Sequence, residues 1–116
     1  MVKILIIDDN PTCRQVLKIY LELIQPCKTE MASNGKDALD IIDSQSFDFD
    51  YIFTDIKMPT MDGYEFAEKY QGKAKLIAIT AVHEFQLKNE KLSLFDQMLA
   101  KPISKQKIEE SLKTLK

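Results

Sequence analysis

The sequence predicts an α/β fold: a doubly wound, five-stranded parallel sheet of (βα)5 order, with strands arranged 2-1-3-4-5. Three observations carry this prediction. Short apolar runs, KILII at residues 3–7 and KLIAIT at residues 75–80 among them, show no polar alternation, as strands buried on both faces require. Between them lie segments whose apolar residues recur at spacings of three and four, the period of a helix with one buried stripe. The 116 residues, 45% apolar and 9% aromatic, are of one-domain size and can bury a core without metal or disulfide staples. A single domain over 1–116 is therefore expected, with no room for a separate catalytic or output domain.

Each element follows from its residues. After the strand at 3–7, Asn10 is a good N-cap and Pro11 is the residue favoured at the first helical position. Val16, Tyr20 and Leu23, with Leu17, Leu21 and Ile24, then keep a helical period until Pro26, which predicts a helix over about 11–24. Residues 29–32 form a weaker second strand, Asn34-Gly35 marks a turn, and Ala38, Leu39 and Ile42 place a short second helix. Residues 49–54 are the third strand. Gly63 opens a third helix with Phe66, Ala67 and Tyr70 on one face, and residues 75–80 are the fourth strand. A polar helix over about 84–94 and a short strand at 98–100 follow. A last helix is capped by Ser104, with Ile103 and Ile108 spaced as a hydrophobic staple and Ile108, Leu112 and Leu115 as the inner stripe.

Composition excludes several functions. Sixteen Lys and Arg against 18 Asp and Glu give a net charge of −2, and no basic stripe offers the footprint of nucleic-acid binding. The first apolar run, Ile4 to Ile7, stops at Asp8, so it is neither a signal peptide nor a membrane span of ~20 apolar residues. A cytoplasmic protein without membrane contact is expected. Cys13 and Cys27 are too few for a disulfide scaffold, and with His83 the single histidine a zinc site is hard to build. Both cysteines are read as reduced, structural thiols.

In an open α/β sheet, ligands bind beyond the carboxyl ends of the strands, beside the switch point. There the first strand ends in Asp8-Asp9, the third in Asp55, the fourth in Thr80 and the fifth in Lys101-Pro102. Taken singly, Asp8 and Asp9 could merely favour the start of a helix, Asp55 could begin a turn, and Thr80 and Lys101 could be ordinary strand-end and surface residues. Taken together, three carboxylates repel one another unless a cation neutralises them, which predicts a hard, oxygen-loving ion such as Mg2+. Magnesium held by carboxylates leaves positions for phosphate oxygens, so the set reads as a phosphoryl-transfer site. An Asp carboxylate can itself accept the phosphoryl group, with the metal, Lys101 and the Thr80 hydroxyl stabilising its oxygens.

The ordered set IIDDN (residues 6–10), ASNGKDALD (32–40), TDIKMPTMDGYEF (54–66), ITA (79–81) and Lys101-Pro102 resembles a bacterial two-component response-regulator receiver domain along the whole chain. The resemblance implies a flavodoxin-like fold. It also implies that Asp55 is the phosphoacceptor, that Asp8 and Asp9 hold Mg2+, that the backbone carbonyl of Lys57 adds a metal ligand, that Thr80 is the switch hydroxyl and that Lys101 contacts the phosphoryl group. The implied donor is a phosphohistidine on a sensor histidine kinase or a histidine phosphotransfer protein. The implied readout is a surface change along the predicted helix at 84–94, the last strand and the last helix, sensed by a downstream protein. Such a chain is not an enzyme beyond catalysing its own phosphoryl acceptance and autodephosphorylation.

Three departures stand out. Met98 occupies the position three before the lysine that is usually aromatic, which predicts a softer switch because methionine fills gaps in several rotamers. Thr80 follows Asp55 by only 25 residues, implying a trimmed third helix or following loop. The small residues that usually precede the last strand are replaced by Leu94-Phe95-Asp96-Gln97, where Phe95 can supply some of the missing aromatic packing. Competing classes are a receiver scaffold that works without phosphorylation, a haloacid-dehalogenase-type phosphatase and a flavodoxin-like cofactor binder. The phosphatase needs a second Asp two residues after the first, where Asn10 stands, and the cofactor binder needs a Gly-rich or Ser/Thr-rich loop in place of Asp-Asp-Asn-Pro.

Overall fold

The computed structural model describes residues 1–45, 48–81 and 93–115. Along them run β1 (Val2–Ile7), α1 (Pro11–Ile24), β2 (Cys27–Ala32), α2 (Gly35–Ser44), β3 (Tyr51–Asp55), α3 (Gly63–Lys69), β4 (Lys75–Thr80), β5 (Gln97–Ala100) and α4 (Lys105–Thr114). The five strands pair in parallel in the order β2-β1-β3-β4-β5, as predicted. The predicted polar helix over about 84–94 lies outside the described residues apart from its last two positions, and His83 lies outside them too.

Alternation along the strands divides the core in two. Ile4 and Ile6 of β1, Phe53 of β3 and Ile77 and Ile79 of β4 pack with Leu17 and Leu21 of α1 and with Ile108 and Leu112 of α4. Leu5, Ile7, Ile52, Leu76 and Ala78 point to the other face, against Ala38 of α2 and Phe66 and Ala67 of α3. Both faces of the central strands are therefore covered, which is why these strands read as continuous apolar runs. The staple is present: Ile108 is buried, and Ile103 packs on the same cluster.

Several boundaries differ from the sequence reading, each for a local reason. Phe49 is buried but precedes β3, because Asp50 turns the chain there: its backbone N–H donates to the Lys3 carbonyl at 2.8 Å while its carboxylate accepts the Lys3 N–H at 2.8 Å. The strand instead runs on to Asp55. Asn34-Gly35 is not a free turn; Asn34 is the N-cap of α2, its side chain accepting from the Asp37 N–H, and Gly35 is the first helical residue. Tyr70 caps α3 rather than belonging to it, and β2 and β5 begin earlier than predicted, at Cys27 and Gln97.

Candidate functional site

β1 ends at Ile7, and one more ladder bond, from the Asp8 N–H to the Ala32 carbonyl at 3.1 Å, carries the chain past the sheet edge. The Asp8 carboxylate then accepts the Asn10 N–H at 2.9 Å, while the Asn10 side chain accepts from Thr12 and Cys13 and caps α1. Strand end, acidic pair and helix cap are thus one hydrogen-bonded unit. Arg14, one turn into α1, closes it by donating to the Asp8 carbonyl at 2.6 Å. Asp8 is buried, with 8% of its surface exposed, whereas Asp9 faces solvent.

Asp55, equally buried, is the last residue of β3. One carboxylate oxygen accepts the Ile56 N–H at 2.8 Å and the other accepts the Lys101 ammonium at 3.2 Å. The chain leaves along a tight loop in which Lys57 is exposed. Thr60 has φ 68°, and the Met61 N–H donates to the Pro59 carbonyl at 2.7 Å, a γ-turn of the rare, strained hand. The Met61 carbonyl accepts the Gly35 N–H, which ties this loop to the start of α2. Thr80 ends β4, and its carbonyl accepts the Lys101 N–H at 2.8 Å, so the lysine that reaches Asp55 is anchored to the strand beside it. The Lys101-Pro102 peptide bond is cis.

Carboxylate oxygens of Asp8, Asp9 and Asp55 lie within 4.8 Å of one another, a cluster that can hold a metal ion. Its chemistry suits a hard divalent cation: all donors are carboxylate oxygens, two are buried, and the exposed third leaves room for water. Burial raises the Asp8 carboxyl from its ordinary value, the Asn10 N–H lowers it, and the charge of Asp55 raises it further. Lys101 feels the opposite balance. Burial opposes its ammonium, but the charge and hydrogen bond of Asp55 prevail and its pKa is raised. Cys13 and Cys27 are both free thiols, pushed up by burial.

A stability prediction follows from Asp8. Because its folded pKa stands above the ordinary 3.8, the folded chain holds that proton more tightly, so the cost of ionising it grows as pH rises through that window and is complete at neutral pH. Asp8→Asn keeps the acceptor for the Asn10 N–H and removes the charge. In EDTA at pH 7, urea unfolding is expected to show it about 1 kcal/mol more stable than the parent. The difference should vanish below pH 3.8 and reverse in excess Mg2+, which stabilises the parent by binding. A variant less stable than the parent in EDTA at pH 7 contradicts the account.

Asp8, Asp9, Asp55 and Lys101 therefore converge as the sequence reading expected, with Thr80 carried beside them. Two contributors were not foreseen: Arg14 on the Asp8 carbonyl, and Lys107, whose ammonium donates to the Ala100 and Pro102 carbonyls at 3.1 and 2.9 Å. Both bond carbonyls five to seven residues earlier, across a strand-to-helix turn, and no residue pattern announces such a bond. Behind the site, Met98 packs half-buried on the cluster that contains Phe95, and the Phe95 ring meets Tyr64 with centroids 6.0 Å apart. The ring of Phe95 therefore packs on Tyr64 of α3, within the same cluster that Met98 meets.

A family model described as response regulator receiver domain matches residues 4–113. Among curated proteins, the chain is 34% identical over 121 residues to hybrid signal transduction histidine kinase L of Dictyostelium discoideum, covering 96% of this chain and 7% of that protein. It is 40% identical over 78 residues to transcriptional regulatory protein FlgR of Helicobacter pylori, covering 67% of this chain and 20% of that protein. The chain thus spans only a small part of the length of these relatives. Among solved structures it resembles response regulator protein TrrA of Thermotoga maritima in complex with Mg(2+)-BeF, with a TM-score of 0.87, 29% identity and full coverage of both chains.

Proposed function

The chain belongs to the response regulator receiver domain family of two-component systems, and on that premise we propose that Asp55 accepts a phosphoryl group from a phosphohistidine. The donor is a sensor histidine kinase or a histidine phosphotransfer protein. A carboxylate oxygen of Asp55 forms the new P–O bond as the P–N bond to the imidazole breaks, and the bonding pair leaves with the ring nitrogen. The observation that carries this reading is that Asp55 is buried at a strand end, joined to Lys101 at 3.2 Å, with Asp8 and Asp9 beside it.

Asp8, Asp9, Asp55 and the Lys57 carbonyl would hold Mg2+, which when bound supplies positive charge to the phosphoryl oxygens. Lys101 and the Thr80 hydroxyl bind the remaining oxygens. The chain catalyses its own phosphoryl acceptance and hydrolysis. Its output is the phosphorylated surface, recognised by a downstream protein, or onward transfer of the phosphoryl group. A kinase-fed role of this kind places it in the cytoplasm.

The surface beside the site supports a protein donor. An apolar groove of about 510 Å³ runs between α1 and the segment after β5, lined by Thr12, Val16, Pro102 and Ile103 and reaching Asp8 and Lys101. Ile19 and Leu23, 49% and 65% exposed, continue the apolar stripe along α1. Among the described residues no helix is long and apolar enough to cross a membrane. The test is transfer from a radiolabelled histidine phosphotransfer protein. Label is expected to move to this chain with Mg2+ and to stay on the donor in EDTA. If it never leaves any of a panel of donors, the reading fails.

A further inference from the structure

The fifth strand hands the chain to α4 through residues 101–104, and the lysine that meets Asp55 stands at the start of that segment. Where the Lys101 ammonium sits depends on how firmly the backbone on both sides of it is held. On the strand side, the Lys101 N–H is bonded to the Thr80 carbonyl at 2.8 Å. The peptide carbonyls that bracket Lys101, those of Ala100 and Pro102, are both taken by one group, the Lys107 ammonium, at 3.1 and 2.9 Å. Lys107 is in turn held by its own N–H, which donates to the capping hydroxyl of Ser104 at 3.2 Å.

The placement is unusual for a lysine. The first turn of α4 has no acidic residue, and a cation there opposes the helix dipole. Two carbonyl acceptors compensate that arrangement for Lys107; Lys105, in the same turn, makes neither bond. We propose that Lys107 is a positioning residue for Asp55 phosphorylation: by clamping the carbonyls before and after Lys101 it sets the direction from which the Lys101 ammonium meets the phosphoryl group. The inference rests on the function proposed above and adds a residue to it. Lys107 does not touch the reacting atoms.

The experiment compares the parent with Lys107→Gln, Lys107→Arg and Lys105→Gln. The rate of Asp55 phosphorylation by acetyl phosphate in excess Mg2+ is followed by intact mass, and thermal melts are recorded in parallel. Lys107→Gln is expected to be slower by about fivefold, since small misplacements of a catalytic group are costly. Lys107→Arg has donors for both carbonyls and should keep at least half the parent rate. Lys105→Gln, which removes the same charge from the same turn, should match the parent. A structural role alone would not move the 19F spectrum of beryllofluoride bound at Asp55, in which the fluorine facing Lys101 should shift in Lys107→Gln and not in Lys105→Gln.

A Lys107→Gln rate within twofold of the parent, an unchanged fluorine spectrum, or an equal loss in Lys105→Gln or Lys107→Arg overturns the inference. The parent chain separates this failure from that of the proposed function. If the parent gains no phosphoryl group, the function itself is wrong; if it gains one and Lys107→Gln matches it, only the positioning role is.

Discussion

Lys101→Met is expected to slow phosphorylation of Asp55 by about a hundredfold, the cost of removing one prearranged donor to developing oxyanion charge, or roughly 2.7 kcal/mol. The Lys101 ammonium lies 3.2 Å from one Asp55 oxygen and is the basic partner of that carboxylate in a cluster that otherwise carries three negative charges. Its removal has a second consequence of opposite sign. With no ammonium bonded to Asp55, the cluster attracts a cation more strongly, and Mg2+ should bind about fivefold tighter, near 1 kcal/mol at the effective dielectric of a partly exposed site. Rate and metal affinity measured on the same variant separate lost chemistry from lost folding, because a misfolded site would lose both. Unchanged phosphorylation, or weaker Mg2+ binding, would contradict the placement of Lys101.

Gly63→Ala is expected to cost about 3 kcal/mol, the upper end of the usual overpacking range, and to lower the melting temperature by roughly 15 °C. A Cβ at Gly63 would stand 2.4 Å from the Asp55 carbonyl oxygen and 2.9 Å from the Ile56 Cα, both main-chain atoms that cannot swing aside. The Gly63 N–H also donates to the Ile56 carbonyl at 2.7 Å, so helix and strand end cannot separate without breaking that bond. The close approach holds the start of α3 against the residue that bears the reacting carboxylate. Phosphorylation should therefore slow even below the melting transition. Urea unfolding within 0.5 kcal/mol of the parent would show that the approach is not required.

Where local chemistry and burial agree, the fold is legible in the residues. Asn10-Pro11 announces α1 because the cap and the first helical residue are both specified by side-chain type, and KLIAIT announces β4 because both its faces are covered. The third strand starts two residues later than the apolar run predicts because Phe49 is buried by the turn before β3, and burial alone does not distinguish a turn residue from a strand residue. Asn34-Gly35 carries two readings, turn or capped helix. The outcome depends on the Gly35 bond to Met61, from a loop 26 residues away.

At the site, Asp8, Asp9, Asp55, Thr80 and Lys101 were legible since each follows or ends an apolar strand, and parallel strands place such residues on one rim. Arg14 and Lys107 were not, because a lysine bonded to two carbonyls has the same sequence appearance as any exposed helical lysine. Gly63 was legible as a helix start, but its need for a missing Cβ arises from the Asp55 carbonyl packed against it.

The central claim is that a single carboxylate, Asp55, carries the phosphoryl group. The most direct measurement treats the parent with acetyl phosphate and Mg2+, reduces it with borohydride, which converts an aspartyl phosphate to homoserine, and maps the modified residue by peptide mass spectrometry. The account predicts homoserine at position 55 alone, and none in Asp55→Asn, which keeps the side chain's shape without its nucleophilic carboxylate. Homoserine at position 8 or 9, or a phosphoryl group retained in full by Asp55→Asn, would contradict it.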